Sequence, residues 1–286
     1  MLNATAGGFI TSRGYRLSKK RSLSARSRVD RELIPVIQHI HASNYSCYGV
    51  RKMWKALHTA QYMIGREHTR RLMKLACVQG STRGRKPTTT ISSQVECASD
   101  LVKRDFKASK SNQLWVADFT YVRTLNGFAY TAFVTDVYSR KIVGWNTSST
   151  MSTQLPLHAV EQAITQAKSD ITGVIHHSDK GSQYTSITYT QKLTEHGALL
   201  STGTTGDSYD NALAESVNAA YKTELTKTRT WKNGTDLEIA TLQWVHWWNN
   251  TRLHASLNYI TPQAFEDNQQ NTSKNHETST PTLVKT

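Results

Sequence analysis

An acid and a cation stand seven positions apart in GDSYDNALAESVNAAYK, residues 206–222. Gly206, Asp207, Ser208, Asp210 and Asn211 are turn and N-cap formers, and the alanine-rich run after them favours helix, so a polar loop feeding a helix is expected. Seven residues are two helical turns, which puts Glu215 and Lys222 on one face. Asn211, one turn before Glu215, shares that face and is placed to orient it. Two more acids lie where strands can present them. Asp118 sits in the strand-forming run QLWVADFTYV, and Asp179 in VIHHSDKGSQYTS follows the apolar start of a strand and precedes a glycine turn. Three carboxylates converging from two strands and a helix form an oxygen donor set suited to hard divalent cations such as magnesium. Two such ions about 3.5–4 Å apart serve both ends of an in-line phosphodiester displacement. Asp118 is expected to bridge both ions, with Asp179 and Glu215 holding one each. Taken singly, an Asp at a strand end is more often a cap or turn former; the joint spacing is what carries the chemistry.

The acids need a sheet to position them. Residues 115–123 read as a strand, Leu125, Asn126 and Gly127 as a hairpin, FAYTAFVTDVYS as a second strand and RKIVGWNTS as a third. Leu155, Leu157, Val160 and Ile164 recur at helical spacing between Thr153 and Lys168, and ITGVIHHS then returns as a buried strand ending at Asp179. A crossover of that length implies parallel pairing with the first strand. A helix over residues 186–196, a strand ALLST and the helix of Glu215 complete an α/β layout of the ribonuclease H type, where ligands gather at the carboxyl ends of the strands. Asp136 is read as pairing with Arg140 or capping its turn, His176 and His177 as packing residues, and Asp207 and Asp210 as shaping the loop.

Charge divides the chain. The 286 residues carry a net +14, but the first 110 hold 22 Lys+Arg against 6 Asp+Glu, leaving the remainder slightly acidic. That asymmetry is the footprint of a phosphate-binding module. Residues 1–29 read as a basic arm. Over residues 30–79, Asp30 is placed as a cap, and Leu33, Ile34, Ile37 and Ile40 mark a first helix. Val50, Met53, Trp54 and Leu57 mark a second, and Leu72, Met73 and Ala76 a third. Three short helices with a basic outer face suggest a helix-turn-helix DNA-binding module, with Arg51, Lys52, Arg66, Arg70 and Arg71 as candidate DNA contacts. Residues 80–110 form a basic linker to which Arg83, Arg85 and Lys86 add phosphate contacts. A catalytic core over 111–226 follows, then a helical extension over 227–267 whose Trp244, Trp247 and Trp248 are read as packing, then a polar tail over 268–286 expected to be disordered. Cys47, Cys77 and Cys97 have no paired spacing, which argues against a disulfide framework or a zinc site. No apolar run reaches the roughly 20 residues of a membrane span, and the first 20 residues lack a signal-peptide core, so a soluble intracellular protein is expected.

Five motifs in order resemble a known family. DFTYV at Asp118, FVTDVYSRKIVGW from Phe133, HHSDKGSQYTS from His176, GDSYDNALAES from Gly206 and WWNNTRLHASLNYITP from Trp247 are similar to insertion-sequence transposases with a retroviral-integrase-type core. More narrowly, they resemble the OrfB product of the insertion-sequence family numbered three, whose N-terminal helix-turn-helix region is matched by YGVRKMWKAL and RRLMKLACVQG. The resemblance implies an Asp-Asp-Glu triad on Asp118, Asp179 and Glu215, the last two separated by that family's 35 residues, and a terminal-DNA contact at Lys222. It also implies two magnesium or manganese ions, with water attacking for strand cleavage and a DNA 3′-hydroxyl for joining. The implied partners are the element's terminal repeats, target DNA, further copies of this chain on paired ends, and the upstream-frame OrfA product or an OrfAB fusion, with no membrane. The implied setting is the bacterial cytoplasm, at the nucleoid. Neither the zinc-binding His/Cys module of retroviral integrases nor the upstream-frame helix-turn-helix and zipper is recognisable. Two readings from other classes compete: a non-catalytic helix-turn-helix regulator, which leaves the acids without a use, and a ribonuclease H-type or junction-cutting nuclease, which needs no strand transfer.

Overall fold

The strand formers between Leu114 and Ser148 fold as a meander of β1 (Leu114–Thr124), β2 (Gly127–Asp136) and β3 (Ile142–Ser148), antiparallel in sequence order. After α5 (Gln154–Gln166) the chain returns as β4 (Ile175–Ser178), parallel to β1, and after α6 (Ile187–Glu195) as β5 (Leu199–Thr202), parallel to β4. The sheet order β3-β2-β1-β4-β5 is the ribonuclease H-like arrangement expected from the sequence. The computed structural model describes residues 11–20, 24–82, 107–168, 170–179, 181–202 and 212–277, in two compact units divided at Gly80.

One core lies between the sheet and α5, where Trp115, Ala117, Val134, Val160 and Ile164 meet Tyr184, Tyr189 and Leu193. Helix and sheet approach at backbone distance there: a Cβ on Gly144 would lie 1.9 Å from the Ala159 carbonyl oxygen, so only glycine fits. On the opposite face α7 (Ala212–Tyr221) lays Ala214 against Leu114, Val116 and Val137. β4 is shorter than the expected strand, because the chain turns at Gly173 with φ of +77° before the ladder begins.

The C-terminal extension expected to be helical over 227–267 is built from more than one helix. It forms α8 (Gly234–Asn250), a 3₁₀ turn (Ala255–Leu257) and α9 (Pro262–Glu277), with the chain reversed by Asn258 and Tyr259 at positive φ. Asn249 covers the β3 edge: its side-chain oxygen accepts from the Ile142 N–H and its amide donates to the Ile142 carbonyl, both at 2.9 Å. Trp231, Trp244, Trp247 and Trp248 are all buried, as packing residues should be. Residues 268–277, expected to be disordered, continue α9 instead. The helix has proline at its first position and Thr261 accepting from the Ala264 N–H, and it is tied down by Phe265 against Tyr138 and by the Lys141–Glu266 ion pair at 2.8 Å. Residues 278–286 lie outside the described residues.

The N-terminal unit contains α1 (Ser12–Lys20), α2 (Ala25–Ser43), α3 (Val50–Thr59) and α4 (Arg66–Leu75). Leu33, Ile37, Met53, Leu57, Leu72 and Met73 form its core. Asp30 is not the cap that its position suggested. α2 starts earlier, capped by Ser24, whose hydroxyl accepts from the Ser27 N–H at 3.1 Å. Asp30 instead joins α2 to α4 through Arg71 at 2.6 Å and His68 at 3.0 Å, contacts that hold its carboxyl at about 2.

Candidate active site

Parallel pairing brings the two aspartates together. In the β1–β4 ladder Ala117 is opposite Ser178, so Asp118 and Asp179 occupy the next positions on neighbouring strands, at the carboxyl end of β4. Strands paired this way lie about 4.8 Å apart, with side chains at matched positions on the same face. β1 is buried on both faces from Leu114 to Ala117 and begins to open at Asp118.

Asp118 is half-buried and well bonded. Its Oδ1 accepts from the Phe119 N–H and its Oδ2 from the Asn218 side-chain amide, each at 2.8 Å. Desolvation and then the charge of Asp179 push its carboxyl up to about 7, with Glu215 adding to the rise, while the two hydrogen bonds act against it. Asp179 is open to solvent at its outer edge; desolvation raises its carboxyl too, opposed by the Gly181 N–H, which donates to Oδ1 at 3.0 Å, and by His177.

Glu215 lies in the first turn of α7, immediately after residues 203–211, which lie outside the described residues. Three positions on, Asn218 reaches Asp118, so Glu215 and Asn218 share the helix face turned toward β1. Lys222 begins a π-helical turn (Lys222–Thr226) and rests its ammonium 5.0 Å from the centre of the Tyr121 ring. Among the described residues, no three or more His, Cys, Asp or Glu side chains stand close enough to hold a metal ion. The donor chemistry suits a hard divalent cation, and Asp118 carries an unusual concentration of neighbouring negative charge. Two buried polar atoms have no partner among the described residues: Oδ1 of Asn218, whose amide holds Asp118, and the hydroxyl of Tyr184, whose ring packs on Phe119. Spacing is what the triad lacks in this conformation.

The other acid and histidines have structural duties. Asp136 is fully buried and caps its turn, accepting from the Asn112 and Ser139 N–H groups and from the Ser139 hydroxyl. His176 accepts or donates to the Tyr189 hydroxyl at 2.9 Å, and His177 does so with Ser201 at 2.9 Å. In the N-terminal unit Arg51, Arg66 and Arg70 are exposed, Lys52 lies 5.3 Å over the Tyr48 ring, and Arg71 is committed to Asp30. Asn211, Arg83, Arg85 and Lys86 lie outside the described residues.

Asn218 and Tyr184 were not singled out by sequence reasoning. Asn218 had a usable signal, since it follows Glu215 by one turn on the same face. Tyr184 had none, because an aromatic five residues after Asp179 reads simply as core.

Comparison with known proteins gives these elements a family. An integrase core domain family matches residues 108–208, a second integrase core domain family matches 196–262, and an HTH-like domain family matches 28–86. The transposase of insertion sequence IS629 from Shigella sonnei is 48% identical over 85% of this chain and 81% of its own length. The putative transposase of IS986/IS6110 from Mycobacterium tuberculosis is 45% identical over 86% of this chain and 91% of its own. The IS904 transposase of Lactococcus lactis is 32% identical over 85% and 96%. Among solved structures, the magnesium complex of the HTLV-2 integrase catalytic core is similar to 56% of this chain over 99% of its own, with 15% identity and a TM-score of 0.41. With its helix-turn-helix-like unit and its ribonuclease H-like sheet, the chain belongs to the insertion-sequence transposases that have an integrase core, of the family numbered three.

Proposed function

We propose that this protein cleaves the ends of its insertion sequence and joins the resulting 3′-hydroxyl to target DNA. The observation that carries the reading is the parallel β1–β4 register, which sets Asp118 and Asp179 at neighbouring positions. Desolvation and two other carboxylates push the Asp118 carboxyl upward, a charge concentration that a bound cation would relieve. Asp118, Asp179 and Glu215 are the residues that would hold two magnesium or manganese ions. When bound, the ions supply the electrostatic stabilisation that an in-line phosphodiester displacement requires at its attacking and leaving oxygens.

The protein's own groups do the positioning. The Asn218 amide fixes one Asp118 oxygen, the Phe119 and Gly181 N–H groups fix an oxygen each on Asp118 and Asp179, and Lys222 offers a cation to DNA phosphate on the α7 side. Binding ions also requires Glu215 to close on the aspartate pair. Terminal repeats and target DNA are the substrates, bound by several copies of this chain, with the OrfA product or an OrfAB fusion as partner. The setting is the bacterial cytoplasm at the nucleoid.

Glu215→Gln tests the assignment. With a labelled element end and magnesium, the wild type should give nicked and joined products. The variant should keep its fold, by circular dichroism and melting, and lose both. Undiminished nicking by the variant removes Glu215 from the reaction, and hydrolysis of an RNA hybrid or branched junction without any joined product supports the nuclease reading instead.

A further inference from the structure

Near the acids stands a buried donor that has no acceptor among the described residues. Tyr184 is 2% exposed and its hydroxyl bonds to none of the described residues, whereas Tyr189, equally buried, has its hydroxyl bonded to His176 at 2.9 Å. The fold can evidently satisfy a buried tyrosine here. An unbonded buried hydroxyl loses its hydration without compensation, and native proteins contain few of them.

The ring is fixed in place. It packs against Phe119, the residue after Asp118, with centroids 6.0 Å apart, and edge-on against Tyr189 at 5.4 Å. It also borders the Asp179 loop, where a Cβ on Gly181 would lie 3.6 Å from Tyr184 Cδ2 and 3.0 Å from Asp179 Oδ1. Burial, then Asp118, Tyr189 and Asp179, drive the phenol well above its ordinary value, so it remains a neutral O–H donor. A second orphan is Asn218 Oδ1, an acceptor with no donor among the described residues, on the residue whose amide already holds Asp118.

We propose that Tyr184 is a positioning residue for the metal-loaded site, its hydroxyl donating to the Asp118–Asp179 carboxylate pair when a hydrated divalent cation gathers those carboxylates. The Asn218 oxygen would supply the loaded site with a buried acceptor. Partners of this kind orient the groups that ligate a metal, and losing one typically weakens binding 10–100-fold. The inference rests on the assignment of the aspartates as metal ligands.

Calorimetric titration of the full chain with manganese, together with melting in chelator, tests it on wild type, Tyr184→Phe and Asp179→Asn. Tyr184→Phe keeps the ring, so it should melt at or above the wild-type temperature without metal while its manganese Kd rises about tenfold or more. An unchanged Kd, or a lower metal-free melting temperature, overturns the proposal; the latter would mean that the hydroxyl has a partner in the metal-free protein. Asp179→Asn separates the two levels. If it binds manganese as the wild type does, or if the wild type binds none, the metal-site reading itself fails and this inference with it. If Asp179→Asn loses binding while Tyr184→Phe does not, only the inference falls.

Discussion

Asp118 links the site to pH. Its carboxyl titrates near 7 when folded without metal, against an ordinary value of 3.8, so between those limits the folded chain holds a proton that the unfolded chain has released. Stability therefore declines as pH rises through that window. Buried His176 works in the opposite sense: its imidazole is depressed to about 4, so its contribution is complete above 6.5 and is lost as pH falls toward 4. Substituting Asp118 isolates the first effect from the second. Metal-free Asp118→Asn should melt progressively higher than wild type as pH is raised from 5 to 8, and an offset that stays constant across that range would contradict the raised carboxyl. The three acids were conspicuous in the sequence through their residue types and spacing. Their surroundings were not, because the bond from Asn218 to Asp118 spans 100 positions and the burial of Tyr184 depends on the packing of α6 against the sheet.

At the scale of elements, the end of α7 is fixed by a buried ion pair. Glu224, in the π-helical turn, receives both Arg252 Nε and Nη2, the shortest contact being 2.6 Å, and the guanidinium stacks 4.3 Å from the Trp248 ring. Both side chains are largely excluded from water, so removing one leaves the other charge uncompensated. Arg252→Met should cost about 3–5 kcal/mol, read as a marked fall in melting temperature, and a double variant with Glu224→Leu should recover most of it. If the double variant melts no higher than the single one, stacking on Trp248 outweighs the ion pair. Arg252 was visible in the sequence only within WWNNTRLHASLNYITP; in the structure it holds Glu224, in the turn that follows the helix of Glu215. Alternation, turn residues and helical spacing made β1, β2, β3, α5 and α6 readable, because local chemistry determines those elements. The break between α8 and α9 was not readable, since Asn258 and Tyr259 adopt positive φ without glycine. The π-helical turn was equally silent, its extra residue being held by an arginine 28 positions away.

For the whole molecule, the decisive quantity is the uneven charge. Residues 1–110 hold 22 of the 35 Lys+Arg, and an arginine that meets phosphate releases counterions, so DNA affinity should fall steeply with salt. The N-terminal unit separates arginines that are available for this from one that is not. Arg51 is exposed, and Arg66 and Arg70 face Glu67 in pairs open to water, which are worth little. Arg71 is tied to Asp30, where its guanidinium lowers the carboxyl and joins α4 to α2. Alanine at Arg51, Arg66 or Arg70 should each reduce the slope of log affinity against log salt by about 0.9 if that residue contacts a phosphate, with the melting temperature unchanged. Arg71→Ala should instead lower the melting temperature and leave the slope near wild type. Fluorescence anisotropy on an element end from 50 to 200 mM salt, paired with thermal unfolding, reads both quantities. A full slope change from Arg71→Ala at constant stability would move that residue from the helix-joining ion pair to the DNA face, and with it the surface by which this unit grips its element.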